Sequence, residues 1–508
     1  MKKIFVDGET LKIDDVVAVA DGFAQVEYSD DTRKKMKECR DFVETILEKD
    51  DPVYGINTGF GMLSDVKIAH ENLEELQINL IRSHAIAIGE PYDKRTVRAI
   101  MLLRANVLAK GYSGITLKTF DKLIELINSD VYPFIPCQGS VGASGDLAPL
   151  AHLALVLCGE GYVFNSEGKQ VDTAQELKRL GITPVVLKAK EGLALINGTQ
   201  AMTAVGALTA HRVRNLLKLS DIAAAITLEG ILGTAKAFDR KVNMVRPHWG
   251  QMEVAQNVLK LVQDSTIRES HKCCNKVQDA YSVRCTPQVH GAVRDALRHV
   301  EKVLVTEINS STDNPLIFPD EKETISAGNF HGEPIGLVMD YLTAAVSELG
   351  SISERRIEQL INPIFSQAPA FLVKEKGLNS GFMIAHVAAA SLVSENKTLC
   401  FPATVDSIST SAGKEDHVSM GTIAARKCAQ VAENSVKVLC MEILTGCQAL
   451  DFRKPLTPGI GVKAVYDLVR KDVPFMEKDC FLHPLFMKVL EKEYEMVAAA
   501  QKAVDGLI

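Results

Sequence analysis

Gly139-Ser140-Val141-Gly142-Ala143-Ser144-Gly145-Asp146-Leu147-Ala148-Pro149 is a Gly/Ser-dense turn that runs straight into the apolar segment 150–157. Two readings compete for it. A small polar residue ahead of an apolar run is an ordinary helix N-terminus, with Ser144 or Asp146 as the N-cap. Ala143-Ser144-Gly145 also sets a small residue, a removable hydroxyl and a glycine amide in consecutive places. Addition of the Gly145 nitrogen to the Ala143 carbonyl, with loss of one water from the ring and a second from Ser144, would leave an exocyclic alkene. That product is an electrophile made only of main chain. Glycine amides are the least hindered for such a closure, and Gly142 and Gly145 reach the positive φ values that a strained loop demands. Two rivals fail on residues: no Lys follows the glycines as in a phosphate-binding loop, and the spacing is not that of a G-x-S-x-G nucleophile elbow.

Around the turn the pattern is helical. The chain has 508 residues, 46% hydrophobic but only 6% aromatic, a balance that suits packed helices better than a β-sandwich and exceeds what one core needs. Apolar periodicity predicts helices over 30–48, 71–89, 94–110, 115–128, 147–158, 201–226, 251–263, 288–311, 335–361, 383–399, 417–447 and 482–505. The 335–361 helix would be about 40 Å long, and helices of that length usually form a bundle shared by subunits. Near the start, strand-like runs at 3–6 and 10–13 flank Asp7-Gly8 as a hairpin, with 24–28 as a third strand. The polar stretch 165–175 reads as a surface hairpin. The expected fold is mainly α: residues 1–200 hold a small α+β portion with the β element, a tyrosine loop and the turn. Residues 201–508 hold the long helices. No flexible linker separates them, so they are expected to be interdependent.

Composition removes several function classes. A net charge of −7 gives no basic footprint for nucleic acid. No window reaches 18 uninterrupted apolar residues, and the first residues hold no apolar signal-peptide core, so neither a membrane span nor export is expected. Eleven cysteines without a C-x-x-C pair, with Cys273 and Cys274 adjacent, point to a reducing cytoplasm. Twelve histidines include no H-E-x-x-H or Cys/His cluster, so no metal is expected.

Gly-punctuated polar loops between the helices carry Tyr54, Asn197, Gln278, Tyr281, Arg284, Phe330 and Glu415, and the 71–89 helix carries His84. Loops on a helical scaffold are where site residues concentrate. Singly, each has a plain alternative: Tyr54 as a buried tyrosine with one hydrogen bond, His84 as a satisfied core histidine, Arg284 in a helix-end salt bridge, Glu415 as the cap of the next helix.

Taken together, the runs VYGINTGFG (53–61), the SH of IRSHAIAIGE (81–90), GSVGASGDLAPLAHLAL (139–155), EGLALINGTQ (191–200), VQDAYSVRCTPQ (277–288), SSTDNPLIF (310–318), SAGNFHGEP (326–334) and KEDHVSMG (414–421) resemble the aromatic amino-acid ammonia-lyase and aminomutase family. They follow family order over most of the chain and are closest to its histidine-specific members. The resemblance implies that Ala143, Ser144 and Gly145 cyclise unaided into a methylidene-imidazolone, with no diffusible cofactor. It implies a helical homotetramer whose active sites combine loops from more than one subunit. Tyr54 matches the base that removes the substrate's β-proton, and its pKa of about 10 would have to be lowered for that. Asn197, Gln278 and Tyr281 match polar groups around the carboxylate and electrophile. Arg284 matches the guanidinium that pairs with the substrate carboxylate through two parallel hydrogen bonds, and Phe330 a residue that excludes water. His84 and Glu415 match the pair that meets an imidazole. The implied reaction is deamination of the small molecule L-histidine to trans-urocanate and ammonia. Ala280 and Lys414 stand where histidine-specific members usually have Pro and Gln, and Ala280 occurs in tyrosine-acting relatives. A tyrosine ammonia-lyase or tyrosine 2,3-aminomutase is therefore the alternative.

Overall fold

The structure, a computed structural model, describes residues 2–49, 51–129, 131–272 and 276–508. Cys273-Cys274 lies outside them, and no disulfide joins the nine described cysteines. The described chain is mainly α, with 21 α-helices and short strands only. It divides into two compact units that interleave along the sequence: residues 1–211, 300–340 and 402–426 form one, and residues 212–299, 341–401 and 427–508 the other.

In the first unit the N-terminus departs from the expected hairpin. The Asp7 carboxylate accepts from the Glu9 and Thr10 amides at 2.7 and 2.9 Å, a local turn that leads into a helix, Ile13–Ala20, rather than a strand. Ile13, Val16, Val17, Val19 and Ala20 are all buried. With a helix as the crossover, Lys2–Phe5 pairs in parallel with Ala24–Glu27, as such a connection requires. Ser29 does cap the helix Asp30–Leu47, accepting from the Thr32 amide. The hairpin around 165–175 is present: Tyr162–Phe164 pairs antiparallel with Gln170–Asp172. The centre of the unit is the helix Lys94–Ala109, buried at every position from Val97 to Ala109; a helix buried on every face belongs in a core. Arg104 and Asn106 lie inside that buried run.

Helix ends account for the other differences. The helix Leu73–His84 stops five residues early, because the chain turns at Ala85 toward the strand Ile88–Pro91. The helix Gly421–Asp451 starts late, since Met420 has φ +52° and its amide is committed to the Val141 carbonyl. In the second unit the expected 482–505 helix is two, Leu482–Glu491 and Glu493–Ala503, broken at Lys492.

The second unit is built around a buried polar network. Arg356 and Glu442, both fully buried, meet in two parallel bonds of 2.6 and 2.8 Å. Thr227 and Ser353 each donate to the same carboxylate at 2.6 Å. Asp221 accepts from Arg294 at 2.6 Å and Asn257 at 2.9 Å, and pairs with His290 at 2.9 Å. The helix Glu333–Ile361, divided between the units, is long and apolar enough to cross a membrane by length and composition, but more than half of that apolar window is buried, and it carries the buried Glu354 and Arg356. Those are the marks of a core helix.

Candidate active site

The turn 139–146 is held from three other segments of the first unit. The Gly142 carbonyl accepts from the Gly332 amide at 3.2 Å and the Ser419 hydroxyl at 3.0 Å. The Val141 carbonyl accepts from the Met420 amide at 2.8 Å. The Ser144 carbonyl accepts from Asn197 Nδ2 at 3.2 Å. Beyond the turn, the Asp146 amide donates to the Gly198 carbonyl at 2.7 Å. Gly142 and Gly145 have φ of +69° and +70°. A Cβ on Gly145 would sit 2.1 Å from the Gly198 oxygen, and one on Gly142 2.2 Å from Ser419 Oγ. Both positions therefore need glycine for conformation and for space.

Asp146 answers the question of the cap. It stands at the start of the helix Leu147–Leu157 but makes no capping bond to it. Its carboxylate instead accepts from the Met202 amide at 2.8 Å, so it caps the neighbouring helix Gln200–Gly230. Ser140 donates to it at 3.0 Å and Thr422 donates as well. Burial pushes the Asp146 carboxyl above the usual carboxylate range in spite of these donors. Beneath lies Arg104, fully buried, whose Nη1 donates to the Asn197 carbonyl at 2.7 Å and to Gln200 Oε1 at 2.8 Å. Its Nε and Nη2 have no partner, and burial pulls its pKa down to about 10.

In front of the turn opens a cavity of about 720 Å³, with Tyr54, Ala143, Ser144, Asn197, Phe330 and Glu415 among its lining residues. Six residues expected from sequence thus share one wall system, with Gly145 directly behind. Ser144 Oγ donates to Glu415 Oε1 at 2.5 Å, although 271 residues separate them. Glu415 Oε2 accepts from Thr410 at 2.7 Å and Ser411 at 2.9 Å. Burial pushes the Glu415 carboxyl up, but the three hydroxyls and nearby His84 outweigh it and hold its pKa below the ordinary value. Glu415 is therefore ionised at neutral pH.

Two expectations need correction or refinement. The Tyr54 phenol is not lowered: burial, with the Glu415 charge added, raises its pKa despite a hydrogen bond from the Gly61 backbone. His84 is bound to its own helix, with Nδ1 2.9 Å from the Leu80 carbonyl, and is not among the lining residues. Burial lowers its pKa. Gln278, Tyr281 and Arg284 belong to the second unit and do not line this cavity. Tyr281 is 71% exposed, and the Arg284 guanidinium lies 4.5 Å from its ring centre.

Sequence reasoning missed His331 and His417, which also line the cavity, their rings parallel with centres 5.8 Å apart. Both sit inside motifs already singled out. Arg104 had no such signal, being one of four basic residues in the helix Lys94–Ala109. Among the described residues no group of three or more His, Cys, Asp or Glu is arranged to hold a metal ion.

The chain matches the family model for aromatic amino acid lyases over residues 11–471. It is 52% identical over 503 residues to a histidine ammonia-lyase of Myxococcus xanthus, covering 99% of each chain. Among solved structures it resembles histidine ammonia-lyase from Trypanosoma cruzi, with a TM-score of 0.91, 44% identity and coverage of 99% and 95%. It also resembles tyrosine aminomutase from Streptomyces globisporus, with a TM-score of 0.94, 36% identity and full coverage of both chains. A match of that extent, around a turn that two glycines and three braced carbonyls hold in place, means that this chain belongs to the aromatic amino acid lyase family and is a carbon–nitrogen lyase.

Proposed function

We propose that this chain deaminates L-histidine without oxidation, releasing trans-urocanate and ammonia in a step of histidine degradation. The observation that carries the reading is the cavity in which Ser144 of the Ala143-Ser144-Gly145 turn meets the ionised Glu415. The three residues fit the precursor of a methylidene-imidazolone: small, hydroxylated and glycine, with the glycine at φ +70° and pressed against Gly198. That group, once formed, supplies an electrophilic alkene for the substrate α-amine, and no diffusible cofactor is needed.

The remaining work falls to side chains. Asn197 Nδ2, already on the Ser144 carbonyl, would stabilise negative charge on that oxygen. Glu415 would accept an N–H of the substrate imidazole and favour its cationic form, which acidifies the β-proton. Tyr54 would take that proton, and Phe330 would limit water. Gln278, Tyr281 and Arg284 would reach the cavity from a second copy in a homotetramer, bringing the carboxylate clamp. A guanidinium arriving there would also lower the Tyr54 pKa that a single chain leaves raised. The absence of a disulfide among the nine described cysteines supports a cytoplasmic location.

Tyrosine as substrate is the second reading, supported by Ala280 and by the 36% identity to a tyrosine aminomutase. The higher identity to histidine ammonia-lyases, 52% and 44%, supports histidine. Incubation with L-histidine, L-tyrosine and L-phenylalanine separately, followed by ultraviolet absorbance of the conjugated acid, decides between them. Urocanate alone is expected; coumarate without urocanate would overturn the assignment.

A further inference from the structure

The hydroxyl that must leave Ser144 has a carboxylate as its partner. Ser144 Oγ is 2.5 Å from Glu415 Oε1, and the serine backbone is held in place because its carbonyl is tied to Asn197. Glu415 is equally fixed. Thr410 and Ser411 hold its other oxygen, and its amide and carbonyl pair with the backbone of Thr410 at 3.3 and 2.9 Å. Such a contact is of no use to the finished electrophile, because the oxygen is gone by then. It belongs to the precursor.

We propose that Glu415 is the acid–base residue of the turn's own maturation, its carboxylate taking the Cα proton of Ser144 and passing it to the departing Oγ. The proposal rests on the reading of Ala143-Ser144-Gly145 as an electrophile precursor. Unassisted, Oγ would leave as hydroxide, a poor leaving group, while the Cα proton needs a base. One carboxylate bonded to Oγ, itself only two covalent bonds from Cα, serves each need in turn. The electrons of the Cα–H bond become the Cα=Cβ π bond, the Cβ–Oγ bond breaks, and its electrons stay with oxygen. The proton held by Glu415 completes that oxygen to water, and the carboxylate is regenerated. Together with the water lost in ring closure, two waters leave and no oxidant is required. Hydroxyl donors that keep Glu415 ionised supply it in the basic form at the start. Loss of Oγ then frees Oε1 toward the cavity, where the same oxygen becomes available to a substrate N–H.

The test follows maturation by mass rather than by turnover. Full-length chain is made by cell-free synthesis, and intact mass is followed over time for wild type, Glu415→Gln, Glu415→Asp and Ser144→Ala, with circular dichroism as the check on folding. Wild type is expected to lose two waters. Glu415→Gln is expected to lose the ring-closure water but to retain the second about 10²-fold longer, and Glu415→Asp to lose the second at an intermediate rate. Loss of both waters from Glu415→Gln at the wild-type rate overturns the proposal, as does a folded Glu415→Gln chain that retains both. Should Glu415→Gln fail to fold, Glu415→Asp carries the test, and a wild-type rate there overturns it. Wild type at its full unmodified mass instead overturns the precursor reading, and the proposal with it.

Discussion

The two units bury charge in opposite ways. In the second, Arg356 has Glu442, and Asp221 has Arg294 and His290. Burial pushes the Asp221 carboxyl up, yet Arg294, His290 and Asn257 outweigh it and hold its pKa below the usual range. In the first, Lys190 and Asp313 are similarly paired at 2.9 Å, but the groups beneath the turn are not. Arg104 donates only to a carbonyl and an amide, and two of its nitrogens have no partner. Asp146 is held by hydroxyls and amides, with no cation bonded to it, and its pKa is raised. Glu307, with Thr199 as its donor at 2.6 Å, is raised by burial in the same way. Paired charges in a core are compatible with a purely structural role; unpaired ones are costly and tend to persist where chemistry uses them. The first unit keeps its costly charges directly behind Ser144.

The largest effect should come from the turn itself. Gly145→Ala puts a methyl 2.1 Å from the Gly198 oxygen at a φ of +70°, a strain on the order of 1–3 kcal/mol before the clash is counted. Ring closure should fail, and turnover of histidine should fall by roughly 10³-fold or more, with intact mass showing no loss of water. A variant that matures and turns over normally would break the claim that this unit is shaped around the turn.

Next in size is the contrast between the charged groups. Glu442→Gln leaves Arg356 as a buried cation without its partner and should cost about 3–5 kcal/mol in urea unfolding. Arg104→Met removes a cation whose hydrogen bonds go to a carbonyl and an amide oxygen rather than to a carboxylate. It also leaves the Asn197 carbonyl and Gln200 Oε1 without their donor, so its stability change should stay within about 1–2 kcal/mol. Turnover per folded chain should nevertheless fall about 10²-fold, since Asn197 and Gly198 are the surfaces that position Ser144 and Gly145. Arg104→Lys, which keeps a charge and a donor, should recover part of it. If Arg104→Met destabilises as much as Glu442→Gln and leaves kcat intact, the two units do not differ in kind.

The turn and its loops are legible because they combine residues that are uncommon together: closely spaced glycines, serines, and polar groups in short runs between helices. Most helices were legible from apolar period. What stayed hidden depended on partners far along the chain. Asp146 reads as a cap for its own helix and in fact caps the one beginning at Gln200. The N-terminal runs suggested a hairpin, but Ile13–Ala20 found a helical face to bury. The role of base calls for an acidified Tyr54, and burial beside Glu415 does the reverse. Arg104 lies 93 residues from Asn197, and nothing local marks it. Gln278, Tyr281 and Arg284 were grouped with the turn by motif, whereas the fold assigns them to the second unit.

One carboxylate in the second unit sharpens the comparison because it departs from its neighbours. Glu229 accepts from the Gly459 amide with both oxygens, at 3.1 and 3.0 Å, at the residue that begins the helix Ile460–Arg470. Burial outweighs these donors, Ser265 and the Arg268 charge, and pushes its pKa up to about 7. The native state therefore holds this proton where the unfolded chain has already lost it. Stability should fall as pH rises from about 4.5 to about 7, and this group should contribute no slope outside that window. Glu229→Gln keeps an acceptor for Gly459 and removes the charge. It should match wild type near pH 4.5, lose that part of the slope, and exceed wild type by about 1–3 kcal/mol at pH 8 in urea unfolding. A variant less stable than wild type at pH 8 would mean that ionised Glu229 stabilises the fold as Asp221 does, and would place it among the paired charges instead.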